Sequence, residues 1–191
     1  MGKVKFSLFL AVIIFAIAFT AGCGAFNKAD AGWRTYSNDV CEFEYPSSWR
    51  VADIGDLEIE PKPELLLYAT KSRNDKFLTN ANLIIEEHQA LAPSAKEHAD
   101  NTTKWFETSG SSAGYSSYQL LDFTPYDIGS VEAGIILAEY TIAQSGITVM
   151  SQQLVAPVEQ QSFYLTLTCK KDDWDLYKED FEKMISSFKL K

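Results

Sequence analysis

The sequence predicts an α+β domain, and three observations carry the prediction. Several short stretches rich in β-branched and aromatic residues are cut apart by Asn, Asp, Gly and Pro, a spacing that favours antiparallel strands. A capping-box motif after Pro93 announces one helix. Near the C-terminus, apolar residues recur at helical spacing over more than three turns and announce a second.

In chain order, the first strands are expected at 33–36, 41–45, 50–53, 65–70 and 83–88. In the second of these, Cys41, Phe43 and Tyr45 alternate with Glu42 and Glu44, the period-2 pattern of a strand with one buried face. The first helix starts at Ser94, with Glu97 three residues on to complete the box, and is expected to run to Ser109 and stop at Gly110. Its apolar face is thin, with Trp105 and Phe106 as aromatic anchors near its end. Four more strands are expected at 115–123, 131–143, 147–155 and 162–169, with hairpin turns at Asp127-Ile128-Gly129 and Ser145-Gly146. Residues 131–142 are apolar on both faces, as a central strand covered on both sides would be. The last helix begins around Asp172 or Asp173 and sets Trp174, Tyr177, Phe181, Met184, Ile185 and Phe188 on one stripe. No internal repeat and no second domain is visible.

Ahead of the domain, Lys3 and Lys5 precede an apolar run from Phe6 to Phe19 that closes on Thr20-Ala21-Gly22-Cys23. A basic head, a short apolar core and small residues read as a secretory signal, since the run is brief for a bilayer span. Its ending on a cysteine resembles the bacterial lipoprotein signal, although Thr20 stands where a branched aliphatic is usual. That resemblance implies removal of residues 1–22, acylation of Cys23, a short lipid-anchored tether over 23–32 and a folded domain over 33–191. The implied address is the cell membrane or outer membrane, with the protein facing the periplasm or the extracellular side. The processed chain would have 169 residues, with 15 basic against 26 acidic side chains and a net charge of −11. Such acidity excludes nucleic acid as a partner and leaves membrane attachment to the lipid. Two acyl chains make an anchor of that kind effectively permanent.

Three cysteines are an odd number for an exported chain, and acylation of Cys23 leaves Cys41 and Cys169 over. Both fall on the apolar side of an expected strand. They are expected either as a disulfide, which an oxidising exterior allows, or as two buried free thiols behaving as small hydrophobes.

Two segments carry a family resemblance. Phe43-Glu44-Tyr45-Pro46-Ser47-Ser48-Trp49, a strand running into a proline with a tryptophan beyond it, resembles the start of the PsbP-like superfamily, which includes DcrB-like bacterial lipoproteins. Phe181-Glu182-Lys183-Met184-Ile185-Ser186-Ser187-Phe188-Lys189 resembles its closing helix. The resemblance spans residues 33–191. It implies an antiparallel sheet of six or seven strands sandwiched by helices, and a mostly non-enzymatic role in binding or assembly. It carries over no catalytic residue and no cofactor.

Gly110-Ser111-Ser112-Ala113-Gly114 matches the G-x-S-x-G pattern of serine hydrolases, but a helix precedes it and both histidines, His88 and His98, lie upstream of Ser112. Neither histidine has metal-ligand spacing, so both are expected at the surface or half-buried. Asp53, Asp56, Glu58, Glu60 and Glu64 lack the order of a calcium loop and are expected as a solvated edge. The expected function is therefore a non-enzymatic binding or assembly factor for another protein. A small-ligand carrier, and an envelope hydrolase using Ser112, are the alternatives. Tyr115 and Tyr118 follow a Ser- and Gly-rich run, the composition of an adaptable binding loop, and are the candidate partner contacts; an ordinary helix-to-strand connection is the plainer expectation.

Overall fold

Two sheets and two helices build the protein in a computed structural model that describes residues 32–55, 61–72 and 76–191. The signal, Cys23, most of the tether, and Asp56, Glu58 and Glu60 lie outside the described residues. The strands are β1 (Trp33–Ser37), β2 (Cys41–Pro46), β3 (Trp49–Val51), β4 (Leu65–Ala69) and β5 (Asn80–Glu87). Helix α1 (Ala95–Ser109) follows, then β6 (Tyr115–Ile128), β7 (Val131–Ile142), β8 (Ile147–Val158) and β9 (Gln161–Lys170). A single 3-10 turn leads into α2 (Trp174–Ser186), and β10 (Lys189–Leu190) closes the chain.

The main sheet has seven strands in the order β3-β4-β5-β9-β8-β7-β6, every pairing antiparallel, and the fold is α+β as expected. The smaller sheet, β1-β2-β10, stands apart from it, a division the sequence reading missed. β10 pairs only two residues with β2, too short a run to leave a pattern. Tight turns join β6 to β7 and β7 to β8, and Gly129 and Gly146 in them hold φ of 62° and 68°, where a Cβ would be strained.

Alternation along the strands gives the main sheet two different faces. One carries Ala81, Leu83, Met150, Leu154, Leu165, Leu167 and Cys169 and packs with α2 and β2 into one apolar core. Phe181 is its centre: its ring stands 6.2 Å from Trp49, 6.0 Å from Trp174 and 6.2 Å from Tyr177. Phe188 bridges to Phe43 at 6.2 Å and to Phe163 at 6.4 Å. The expected C-terminal stripe is therefore the wall of the core.

The opposite face lies under α1. Ala95 and Ala99 of the helix meet Ile84, Ile136, Val155 and Tyr164, and Phe106 reaches a second cluster with Tyr115, Tyr140 and Val149. The helix comes close because β7 has a glycine beneath it. A Cβ on Gly134 would stand 2.8 Å from that of Ala95 and 2.7 Å from the Phe123 ring. Contrary to expectation, β7 is not the central strand: it lies second from an edge, and Ile135, Leu137 and Glu139 are only half-buried. β9 takes that place, buried from Ser162 to Cys169 on both faces. Its Ser and Thr positions concealed this, because they are buried polar groups rather than a solvated side.

Of the two edge strands of the sheet, β3 and β6, β6 is much the longer. Its long exposed run is guarded against strand addition by register shifts at 115–117 and 120–122, by Pro125, which has no N–H to offer, and by Asp122 and Asp127.

Candidate functional site

Where the first turn of α1 meets the β6–β7 and β8–β9 hairpins, an open cleft of about 800 Å³ is left. Its floor is apolar, made by Phe123, Pro125, Val131, Pro157 and Val158, and Leu91 stands at its mouth with 80% of its surface exposed. Backbone bonds fix the geometry. Glu159, in the β8–β9 turn, holds a φ of 51°, unusual for a residue other than glycine. From that turn the Glu159 carbonyl accepts from Ala92 N–H at 2.7 Å, and the Gln160 carbonyl from His88 N–H at 2.7 Å, so the approach to α1 is pinned to the hairpin.

The helix start is closed by the box the sequence announced. Glu97 N–H donates to Ser94 Oγ at 3.2 Å, and the Ser94 N–H donates back to Glu97 Oε2 at 2.9 Å. The Ser94 N–H and the Ser94 hydroxyl, which donates to the same Oε2 at 2.9 Å, hold the Glu97 carboxyl below its ordinary pKa, so it is ionised at the cleft. Asp127, Glu132 and Glu159 are exposed on the same rim and make no ion pair among the described residues. The one base, Lys96, is bound to Asp100 and lies 5.9 Å from the centre of the Phe123 ring. A second hollow of about 360 Å³, between β2 and the end of α2, has its charges already matched, with Lys183 on Glu44 at 3.4 Å and Lys189 on Glu42 at 3.5 Å.

Between α1 and the sheet lies a sealed polar layer. Cross-strand registers align Ser151, Thr168 and Asn80 in one row and Gln153, Thr166 and Asn82 in the next, all buried. Gln153 Nε2 donates to Thr166 Oγ1 at 2.8 Å, and its carbonyl accepts from His98 Nε2 at 3.2 Å, which places the histidine proton on Nε2. Asn80 Oδ1, Asn82 Oδ1 and Thr168 Oγ1 find no donor among the described residues. His98 is fully buried, rather than at the surface or half-buried as expected, and packs 4.7 Å from the Tyr164 ring. Burial lowers its pKa to about 4, so it is neutral at physiological pH.

The residues singled out in the sequence do not converge. Ser112 is exposed and its hydroxyl donates to the Ser109 carbonyl at 2.8 Å, while His88 Nε2 contacts Ser162 Oγ at 2.8 Å. About 16 Å of helix separates His98 from Ser109, so His98 is not placed as a base for Ser112. Tyr115 and Tyr118 are packing residues, which corrects the idea of a free binding loop. Tyr115 is buried 5.1 Å from the Phe106 ring, and Tyr118 stacks on the same ring at 4.0 Å because the chain turns straight back under the end of α1.

Cys41 and Cys169 are free buried thiols in this structure and not a bridge. They lie on strands of different sheets and in different electrical surroundings. Burial raises Cys41 to about 11, with Lys191 and Glu64 nearby, and Cys169 to about 12, with Asp173 nearby. Among the described residues no group of three His, Cys, Asp or Glu could hold a metal, and no helix is long and apolar enough to cross a membrane.

No family model and no curated protein matches the chain by sequence. Solved structures match it by shape. The solution structure of cyanobacterial PsbP (CyanoP) from Synechocystis sp. PCC 6803 superposes with a TM-score of 0.63 at 18% identity, covering 90% of this chain and 98% of that one. The fold is PsbP-like. The crystal structure of LpqN, involved in cell envelope biogenesis of Mycobacterium tuberculosis, superposes with a TM-score of 0.56 at 10% identity, covering 83% of this chain and 91% of that one. At these identities the likeness is one of PsbP-like architecture, and the cleft must be read from its own residues.

Proposed function

We propose that this PsbP-like chain is a lipid-anchored envelope protein of the DcrB-like kind, held at Cys23 and acting without catalysis as a binding or assembly factor for another protein. The observation that carries the reading is the cleft: an open apolar floor set between α1 and two hairpins, with an exposed leucine at its mouth. Open apolar surface rimmed by polar groups is what protein-docking sites present. The space under α1, where a small-ligand carrier would keep its cargo, is filled by buried side chains instead. LpqN, which shares the fold, is involved in cell envelope biogenesis, and the signal pattern ending at Cys23 supports an envelope address for this chain.

Photo-crosslinking side chains placed in cells at Leu91 or Ser130, on the cleft, and at Leu176, on the exposed side of α2, test the reading. The cleft positions should yield a discrete adduct absent at 176. Equal patterns at all three, or no adduct from the cleft, would refute it. A fatty-acid label should enter the wild type and not Cys23→Ala; labelling of both would remove the anchor from the proposal.

A further inference from the structure

We infer that the occupant of the cleft is a basic, apolar segment of the partner protein, in which lysine or arginine side chains flank aliphatic ones. The inference rests on the cleft being a docking site and adds the chemistry of what docks. Four carboxylates, those of Glu97, Asp127, Glu132 and Glu159, line the opening against one ammonium, which Asp100 already neutralises. None of the four has a cationic partner among the described residues, Glu97 being held only by Ser94, whereas the second hollow, by β2 and α2, pairs its carboxylates internally. An anionic segment would meet only like charge here, and an uncharged one would leave the carboxylates facing its apolar groups.

The two parts of the cleft act differently. Exposed carboxylates contribute little to affinity through single ion pairs, so the apolar floor supplies the holding power. The rim decides sign: it draws a basic segment in, raises its association rate and turns an acidic one away. Both effects weaken as salt screens the exposed charges. β6 runs beside the cleft, but Pro125 removes a donor from its free edge, so the segment is held by side chains in the hollow rather than as an added strand.

Three labelled heptapeptides test this by fluorescence anisotropy on the full lipidated protein in a neutral detergent: leucines alternating with lysine, with glutamate or with serine. The lysine peptide should bind at least tenfold more tightly than the glutamate peptide and should weaken between 0.05 and 0.3 M salt. The double variant Glu132→Gln/Glu159→Gln should lose at least threefold in affinity for it, while Glu179→Gln/Glu182→Gln, the same charge change on α2, should not. Glu97 is left intact because its carboxylate caps α1. Equal losses in the two double variants would reduce the effect to net charge and overturn the inference. Serine binding as tightly as lysine would overturn the charge argument and keep the docking site. No binding by any peptide, together with no adduct from Leu91 or Ser130, would remove both.

Discussion

His98 makes the stability of this domain depend on pH in a way that can be calculated. The ring is buried between α1 and the sheet, donates to Gln153, and lies against Tyr164 and Thr102, with His88 as the neighbouring titratable group that acts on it. Burial lowers its pKa from 6.5 to about 4. The native state therefore holds the neutral ring, and the unfolded chain takes up the proton first as pH falls. Stability is whole above the unfolded value near 6.5, declines through the interval, and levels off below about 4, for a total near 3 kcal/mol. At pH 5.0 the loss should be about 2 kcal/mol. Urea unfolding of wild type and His98→Gln at pH 7.5 and 5.0 isolates this contribution, because every other titrating group is common to both. Wild type should lose about 2 kcal/mol more than the variant between the two pH values. Parallel losses within about 0.5 kcal/mol would show that the ring is accessible or already charged in the native state.

Three other substitutions probe the packing. Phe181→Ala should cost roughly 3 to 5 kcal/mol, read from the urea midpoint, since its ring is fully buried among Trp49, Trp174 and Tyr177; a midpoint close to wild type would remove α2 from the core. Gly134→Ala should destabilise by about 1 to 3 kcal/mol and displace the start of α1, because the added Cβ falls within 2.8 Å of Ala95; an unchanged amide spectrum over 94–99 would refute that close contact. Cys41 and Cys169 should resist alkylation at pH 8 in the native protein and both label after denaturation without reductant; a linked peptide pair would overturn the free-thiol assignment.

What the sequence told of this fold depended on how far apart the cooperating residues lie. The capping box at Ser94 and the stripe from Trp174 to Phe188 are local patterns, and both helices stand where those patterns put them. β5 begins at Asn80 rather than near 83, because asparagine is unfavourable in strands and gives no strand signal even where buried. The full burial of His98, expected at the surface or half-buried, is not legible locally, since its partners, Gln153 and Tyr164, are more than 50 residues away. Tyr115 and Tyr118 meet Phe106 only 9 and 12 residues before them, through a local turn closed by Tyr115 N–H on the Gly110 carbonyl, which is the plainer helix-to-strand connection. The cleft draws on three separated stretches, around 91–97, 123–133 and 157–159, and no window of sequence contains it.

The two faces of the main sheet are joined to their coverings by unlike materials. α2 is bound through rings and aliphatic side chains throughout, whereas between the two apolar clusters of α1 lies a layer containing His98, Thr102, Gln153, Asn80 and Asn82, whose burial gains little when some acceptors go unmatched. The domain should accordingly loosen in stages. Amides of α1 would exchange with solvent through a partial opening well below the global unfolding free energy, while those of β5, β9 and α2 exchange only when the whole domain unfolds. Because the first turn of α1 is also one wall of the cleft, such breathing would widen or narrow the opening, and a bound segment would slow α1 exchange before it altered that of any other element.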